Sequence, residues 1–172
     1  MTPAVPSDHP SPSLVLERIY AAPLKDMWAL WTTKAGIESW WGPEGFTVAV
    51  AHLDLQLGGA LEYVMTATGQ SQIGFMQSVG LPLATTAKLT FTAIDPGRKL
   101  AYVTLADFVP GVAPYEIATQ VEFAVEAQGV RMTVSVARMH DEVWTERAVA
   151  GWLSQLSKLP LALSGAAMAS GQ

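Results

Sequence analysis

The chain has 172 residues, half of them hydrophobic, and a formal net charge of −5. That is enough for one domain with a sizeable core, and too apolar for disorder outside the ends. With no basic run, the chain lacks the cationic face that nucleic acid or an anionic membrane requires. No cysteine is present, which excludes disulfides, thiolate chemistry and Cys-built zinc sites and fits a cytoplasmic setting.

Residues 1–13 read as a flexible Pro-rich tail, because Pro3, Pro6, Pro10 and Pro12 among polar residues support neither helix nor paired strand. They carry no apolar run, so they do not read as a signal peptide. Leu14 to Tyr20 is the first strand. Pro23 suits a first helical turn, and Leu24, Met27, Trp28 and Trp31 follow at i, i+3, i+4 and i+7, which is one apolar helical face. Ile37, Trp40 and Trp41 repeat the spacing after Gly36, which predicts a second short helix that Gly42-Pro43 stops.

Phe46 to Leu55 is the next strand, Gly58-Gly59 a turn, and Ala60 to Thr66 a third strand. Glu62 marks the outer phase there, so Leu61, Tyr63 and Met65 face inward. Residues 63–87 carry no charge, but Gly, Gln and Pro interrupt them; they read as a loop or flap, with 72–84 a candidate movable lid, and not as a membrane span. Lys88 to Ile94 and Lys99 to Asp107 flank the turn Asp95-Pro96-Gly97-Arg98. Tyr115 to Val125 and Val130 to Met139 flank Gln128-Gly129. From Asp141 the period changes. Trp144, Ala148, Trp152, Leu156, Leu159 and Leu163 lie on one stripe of a helix capped by Asp141, about 28 Å long to Leu159. Pro160 kinks or ends it, and residues 164–172 read as a frayed tail.

This order predicts a single α+β domain over 14–163: a curved antiparallel sheet wrapped around a long C-terminal helix, with two short helices after the first strand. It resembles the helix-grip fold of the START-like (SRPBCC) superfamily. Within that superfamily it looks like the branch of activator of heat-shock-protein-90 ATPase homologue-like domains. The residues that carry the resemblance are Ala22-Pro23 with Met27-Trp28, Trp40-Trp41-Gly42-Pro43 with Gly45-Phe46, Asp54 and Gly58-Gly59. Further on they are Pro96-Gly97-Arg98-Lys99-Leu100 and Met139-His140-Asp141, leading into Gly151-Trp152 and Leu156. The resemblance implies a cavity between sheet and helix. Superfamily members bind lipids, hormones or polyketides, and some catalyse cyclisation, dehydration or hydrolysis. The true co-chaperones carry a separate N-terminal domain that contacts the chaperone. This chain has a Pro-rich tail in that place, so a chaperone is not the expected partner.

Strand alternation, loop position and the helical stripe give the candidate ligand-binding set. It comprises Trp41, Tyr63, Met65, Met76, Tyr102, Thr104, Phe108, Tyr115, Met132, Trp144, Ala148 and Trp152, mostly apolar with a few polar groups, as small-molecule sites are. The same residues also suit a filled core. Trp28, Trp31, Trp40 and Trp41 either line a ligand mouth or pack the short helices on the sheet. Phe75, Met76 and Phe108 either form a lid or pin their loops.

His140, Asp141 and Glu142 form the one cluster with proton-transfer potential, and His140 is the single catalytic candidate. Helix capping by Asp141 accounts for the same residues. His52 and Asp54 share a strand face without a third ligand, so no metal site is expected. Gly69-Gln70-Ser71-Gln72-Ile73 departs from the nucleophile elbow at Ile73. There is no P-loop and no G-x-G-x-x-G, so no cofactor is expected. The expected partner is a small lipophilic molecule bound in the cavity. The alternatives are an enzyme of cyclase or hydrolase type using that cavity and a chaperone-activator-like protein-interaction module. A homodimer through exposed edges or helices is compatible with the pattern.

Overall fold

The computed structural model describes residues 14–170 apart from 108 and 110. The candidate Phe108 therefore lies outside the described residues. The elements are β1 (Leu14–Tyr20), α1 (Leu24–Thr32), α2 (Lys34–Trp40), β2 (Phe46–Leu53), β3 (Ala60–Ala67), α3 (Gln70–Ser78), β4 (Ala84–Asp95), β5 (Lys99–Ala106), β6 (Tyr115–Glu126), β7 (Gly129–Val136), α4 (Glu142–Leu156) and α5 (Leu159–Ser170). Seven strands make one sheet in the order β1-β7-β6-β5-β4-β3-β2, with every neighbouring pair antiparallel. Register shifts between Val50 and His52 and between Phe91 and Ala93 bend it. The result is a curved sheet around C-terminal helix with two short helices after β1, the helix-grip architecture.

Period-two burial sets the inner face. On β7, Val130, Met132, Val134 and Val136 are buried while Arg131, Thr133 and Ser135 are less so. On β6, Thr119, Val121 and Phe123 point inward and Glu116 and Glu122 stay exposed. A strand can do this only if its apolar residues fall on alternate positions.

Two short helices close one end of the sheet. Met27, Trp31, Ile37 and Trp40 are all sealed in the core there. Gly36 does not separate the helices, as the sequence suggested; it lies within α2. A Cβ at Gly36 would collide with the Ala29 carbonyl, so only glycine lets α2 fold back this closely on α1. Thr33 caps α2 by accepting from the Gly36 N–H at 3.0 Å.

Three other expectations need correcting. The uncharged stretch after Met65 is not a plain loop. It contains the helix α3, which buries none of its residues and therefore shows no apolar periodicity to read. β4 begins at Ala84, four residues before the predicted Lys88, because Thr66 and Met65 of β3 pair with Ala84 and Thr85. The C-terminal helix is not one rod: α4 ends at Leu156 and α5 starts at Leu159, with Pro160 in the first turn, where its missing N–H leaves no bond unmade. α5 continues to Ser170, past the boundary expected at residue 163, and packs on α1 and α2 through Leu159 and Leu163.

Candidate functional site

The site is built where α4 crosses the inner face of the sheet. Asp141 starts the helix as predicted, accepting from the Trp144 N–H at 2.8 Å. Trp144, Ala148, Trp152 and Gln155 then fall at i, i+4, i+8 and i+11 on the face toward the sheet. Within α4 only Thr145 and Leu156 are buried; Ala148 and Trp152 between them are half-buried. A helix sealed onto a filled core would bury that whole stripe. This one spans a hollow.

The hollow has a volume of about 370 Å³. Its floor is two cross-strand rows, Leu89–Thr104–Ile117 and Tyr102–Thr119–Val136, set side by side by the register of β4 to β7. Trp41 and Tyr63 form one side wall, their rings edge-on at 6.2 Å. Met139, Trp144 and Arg147 stand toward the other end. A smaller adjoining opening lies between α4 and the Gly42-Pro43 turn, lined by Met65 and Gly151 and sharing Trp41, Tyr63, Ala148, Trp152 and Gln155 with the main cavity.

That turn is fixed to the helices. Gly42 and Gly45 adopt φ of +87° and +83°, the left-handed region that costs other residues strain. The Glu44 N–H donates to Ser154 Oγ at 2.9 Å, and Lys158 Nζ reaches the Trp41 and Phe46 carbonyls at 3.4 and 3.5 Å. Burial holds the Lys158 pKa below the ordinary lysine value, an effect that Glu44 partly opposes.

Of the sequence candidates, Trp41, Tyr63, Tyr102, Thr104, Trp144, Ala148 and Trp152 line the main cavity. Met65 lines only the adjoining opening and the outer groove over β3 to β5. Met132 does not line it; it is sealed in the core, because it sits lower on β7 beside Phe123. Met76 is on α3, outside the wall. Tyr115, at the start of β6, bonds His140 instead. Sequence reasoning missed Ile117 and Thr119, which follow from the β6 alternation. It also missed Arg147 and Gln155, which sit three residues after Trp144 and Trp152 on the same helical stripe.

The tryptophans divide. Trp31 and Trp40 pack, with ring centroids 4.7 Å apart, and the Trp40 indole N–H donates to the Leu30 carbonyl at 2.8 Å. Trp28 stands edge-on to Phe123 at 5.8 Å. Trp41 is both core and cavity wall, and Trp31 stacks on Trp152 at 6.5 Å.

Among the described residues, four side-chain groups are buried without a hydrogen-bond partner: Trp31 Nε1, Tyr102 Oη, Arg131 Nε and Gln155 Nε2. Two of them, on Tyr102 and Gln155, belong to cavity-wall residues. Burial drives the Tyr102 phenol pKa strongly up, and the neighbouring Tyr63 adds to it; Thr119 beside it eases this only in part. Burial raises the Tyr63 pKa too, offset in part by the Trp41 indole. Both phenols therefore remain protonated at neutral pH and act as donors.

His140 lies beyond the rim. The Tyr115 hydroxyl lies 2.9 Å from His140 Nδ1 and accepts from the His140 N–H at 3.1 Å, while Nε2 lies 3.3 Å from Asp141 Oδ2. These contacts fasten the start of β6 to the start of α4, and His140 is not among the residues lining the cavity. Among the described residues no group of three or more His, Asp or Glu is arranged to hold a metal ion. No helix among them is long and apolar enough to cross a membrane.

A family model described as Activator of Hsp90 ATPase homolog 1-like protein matches residues 21–164. The chain belongs to this family. Solved structures agree on the fold of this Activator of Hsp90 ATPase homolog 1-like member, START-like (SRPBCC) and helix-grip. A crystal structure of a Chromobacterium violaceum protein is 20% identical with a TM-score of 0.71, over 88% of this chain and 96% of that one. The solution structure of an AHSA1-like protein from Aeromonas hydrophila is 17% identical with a TM-score of 0.70, over 90% and 94%. The crystal structure of an AHSA1 protein from Silicibacter pomeroyi is 25% identical with a TM-score of 0.64, over 88% and 97%. No curated protein matches the sequence.

Proposed function

We propose that the protein binds a small apolar or aromatic molecule between the sheet and α4. One observation carries this reading: a cavity of about 370 Å³ between the sheet and α4, walled by the aromatic side chains Trp41, Tyr63, Tyr102, Trp144 and Trp152. The volume falls in the range of small-molecule sites, roughly 300–1,000 Å³. Wall atoms facing a void forfeit dispersion contacts that a guest restores. The wall favours binding over acid–base catalysis, since burial keeps the Tyr63 and Tyr102 phenols protonated at neutral pH and no His, Asp or Glu lines it among the described residues.

A thermal-shift screen against chemically diverse lipophilic compounds tests the reading. A compound at a hundred times its Kd stabilises the folded state by about 2.7 kcal/mol. The Ala148→Leu variant, which puts three more carbons into the cavity, should lose that response while still folding. Silence of the wild type across such a library would end the carrier reading.

The family match, taken alone, favours a second reading: a chaperone-ATPase-activator-like interaction module. A local observation agrees with it. Phe75, Val79 and Leu81, in and just after α3, are exposed apolar side chains at 62%, 51% and 50%. Acceleration of an Hsp90-type ATPase by the purified protein, cancelled by Phe75→Ser and untouched by Ala148→Leu, would establish this reading in place of the first.

A further inference from the structure

Among the described residues Arg147 is the only charged side chain in the cavity wall, and its guanidinium lies 4.9 Å from the Trp144 ring centroid. Among the described residues it makes no ion pair, in a chain whose net charge is −5. Tyr102, only 3% exposed, has a hydroxyl beside Thr119 but without a hydrogen bond of good geometry, and the Gln155 amide N–H₂ is buried without a partner. A guanidinium and an amide nitrogen only donate, and a phenol that cannot ionise is best used as a donor. Among the described residues the wall thus offers one positive charge and two buried donors, with no carboxylate to compete.

We propose that the guest is a small apolar acid, whose carboxylate is taken by Arg147 at the Trp144 end while its hydrocarbon or aromatic body fills the space toward Trp41 and Trp152. This rests on the ligand-binding reading above and deepens it. Arg147 already rests on an indole, which holds the planar fork in place for a carboxylate. Arg147 and Gln155 are eight residues apart, about 12 Å along the helix axis. Gln155 and Tyr102 therefore meet the far end of the guest and favour acids that carry a second, neutral acceptor there.

The experiment compares naphthoate with naphthamide, two probes of one shape that differ in charge, by calorimetric titration of the full chain. Naphthoate should bind the wild type at least about tenfold more tightly, as a charge-assisted hydrogen bond is stronger than a neutral one. In Arg147→Gln, an exposed position whose change leaves the core alone, the advantage should vanish while naphthamide binding stays within about twofold. Equal binding of the two probes to the wild type, or an acid preference that survives Arg147→Gln, overturns the acid assignment and leaves the carrier reading standing. If neither probe binds the wild type at millimolar concentration, this proposal is overturned, and the lipophilic screen then decides the carrier reading separately.

Discussion

The two ends of this domain are built from the same residue types and come out differently. At the α1–α2–α5 end, Met27, Trp31, Ile37, Trp40 and Leu159 are sealed. Under α4, Trp144, Ala148 and Trp152 remain half-buried over a void. The difference is one of helix spacing. α2 returns against α1 because Gly36 has no side chain, and α5 lies down on both. α4 is held at its ends instead, by Tyr115 of β6 bonding His140 just before it and by Ser154 and Lys158 reaching the turn after Trp41. A helix pinned at both ends bridges the sheet without settling into it, so aromatic residues make a wall in one place and a core in the other.

The largest test of this contrast is a pair of truncations. Trp40→Ala should cost about 3–5 kcal/mol, the range for emptying a sealed aromatic site. It also leaves the Leu30 carbonyl without its 2.8 Å donor. Trp152→Ala removes a half-exposed ring and should cost only about 1–2 kcal/mol. Urea denaturation of both variants measures the gap. Equal costs would mean that α4 is packed as tightly as α2.

A smaller effect probes the helix contact itself. In Gly36→Ala the new methyl meets the Ala29 carbonyl and the Leu30 backbone, and neither can yield without separating α1 from α2. Overpacking of this kind costs about 1–3 kcal/mol. The same denaturation series reads it, and an unchanged midpoint would show that the helices are not in the close contact described.

Alkaline pH separates the two ends in another way. The phenols of Tyr63 and Tyr102 have folded-state pKa values above 10.0, mainly through burial. Above that pH the unfolded chain releases protons that the folded chain retains, so stability falls as pH rises, by up to about 1.4 kcal/mol per pH unit for each phenol. Lys158 works in the opposite sense. Its folded-state pKa lies below 10.5, so its desolvation cost eases as pH approaches that value. Stability measured from pH 9 to 11 should therefore turn downward above 10, and Tyr102→Phe should flatten the fall. A wild-type curve as flat as the variant's would show that the Tyr102 phenol is not buried.

How much of this was legible in the sequence follows from which signals are periodic. The β3 alternation, the α1 stripe and the Asp141 cap are local patterns, and they gave an inner strand face, the first helix and the start of α4. Six of the seven cavity-lining candidates came from strand alternation or the helical stripe and Trp41 from the turn after it; carrying the stripe three residues further would have reached Arg147 and Gln155. α3 was illegible because a helix that buries nothing leaves no apolar stripe. The break after Leu156 was ambiguous because proline suits the first turn of a helix as well as it ends one. Met132 was misassigned because alternation gives the face a residue points to, but not how far along the strand the filled core gives way to the void.

Gly151 carries the finest version of the contrast. It lies within α4 at the adjoining opening, as Gly36 lies within α2, but a Cβ there meets nothing within 4 Å. Alanine restricts the unfolded chain and favours helix, so Gly151→Ala should stabilise the protein by about 0.5–1 kcal/mol. The same substitution type then has opposite signs at two helical glycines of one domain: unfavourable where a neighbouring helix occupies the space, favourable where the opening leaves it empty. A destabilised Gly151→Ala, read by the same urea midpoint, would mean that α4 closes onto the Gly42-Pro43 turn in solution and that the smaller opening is shut.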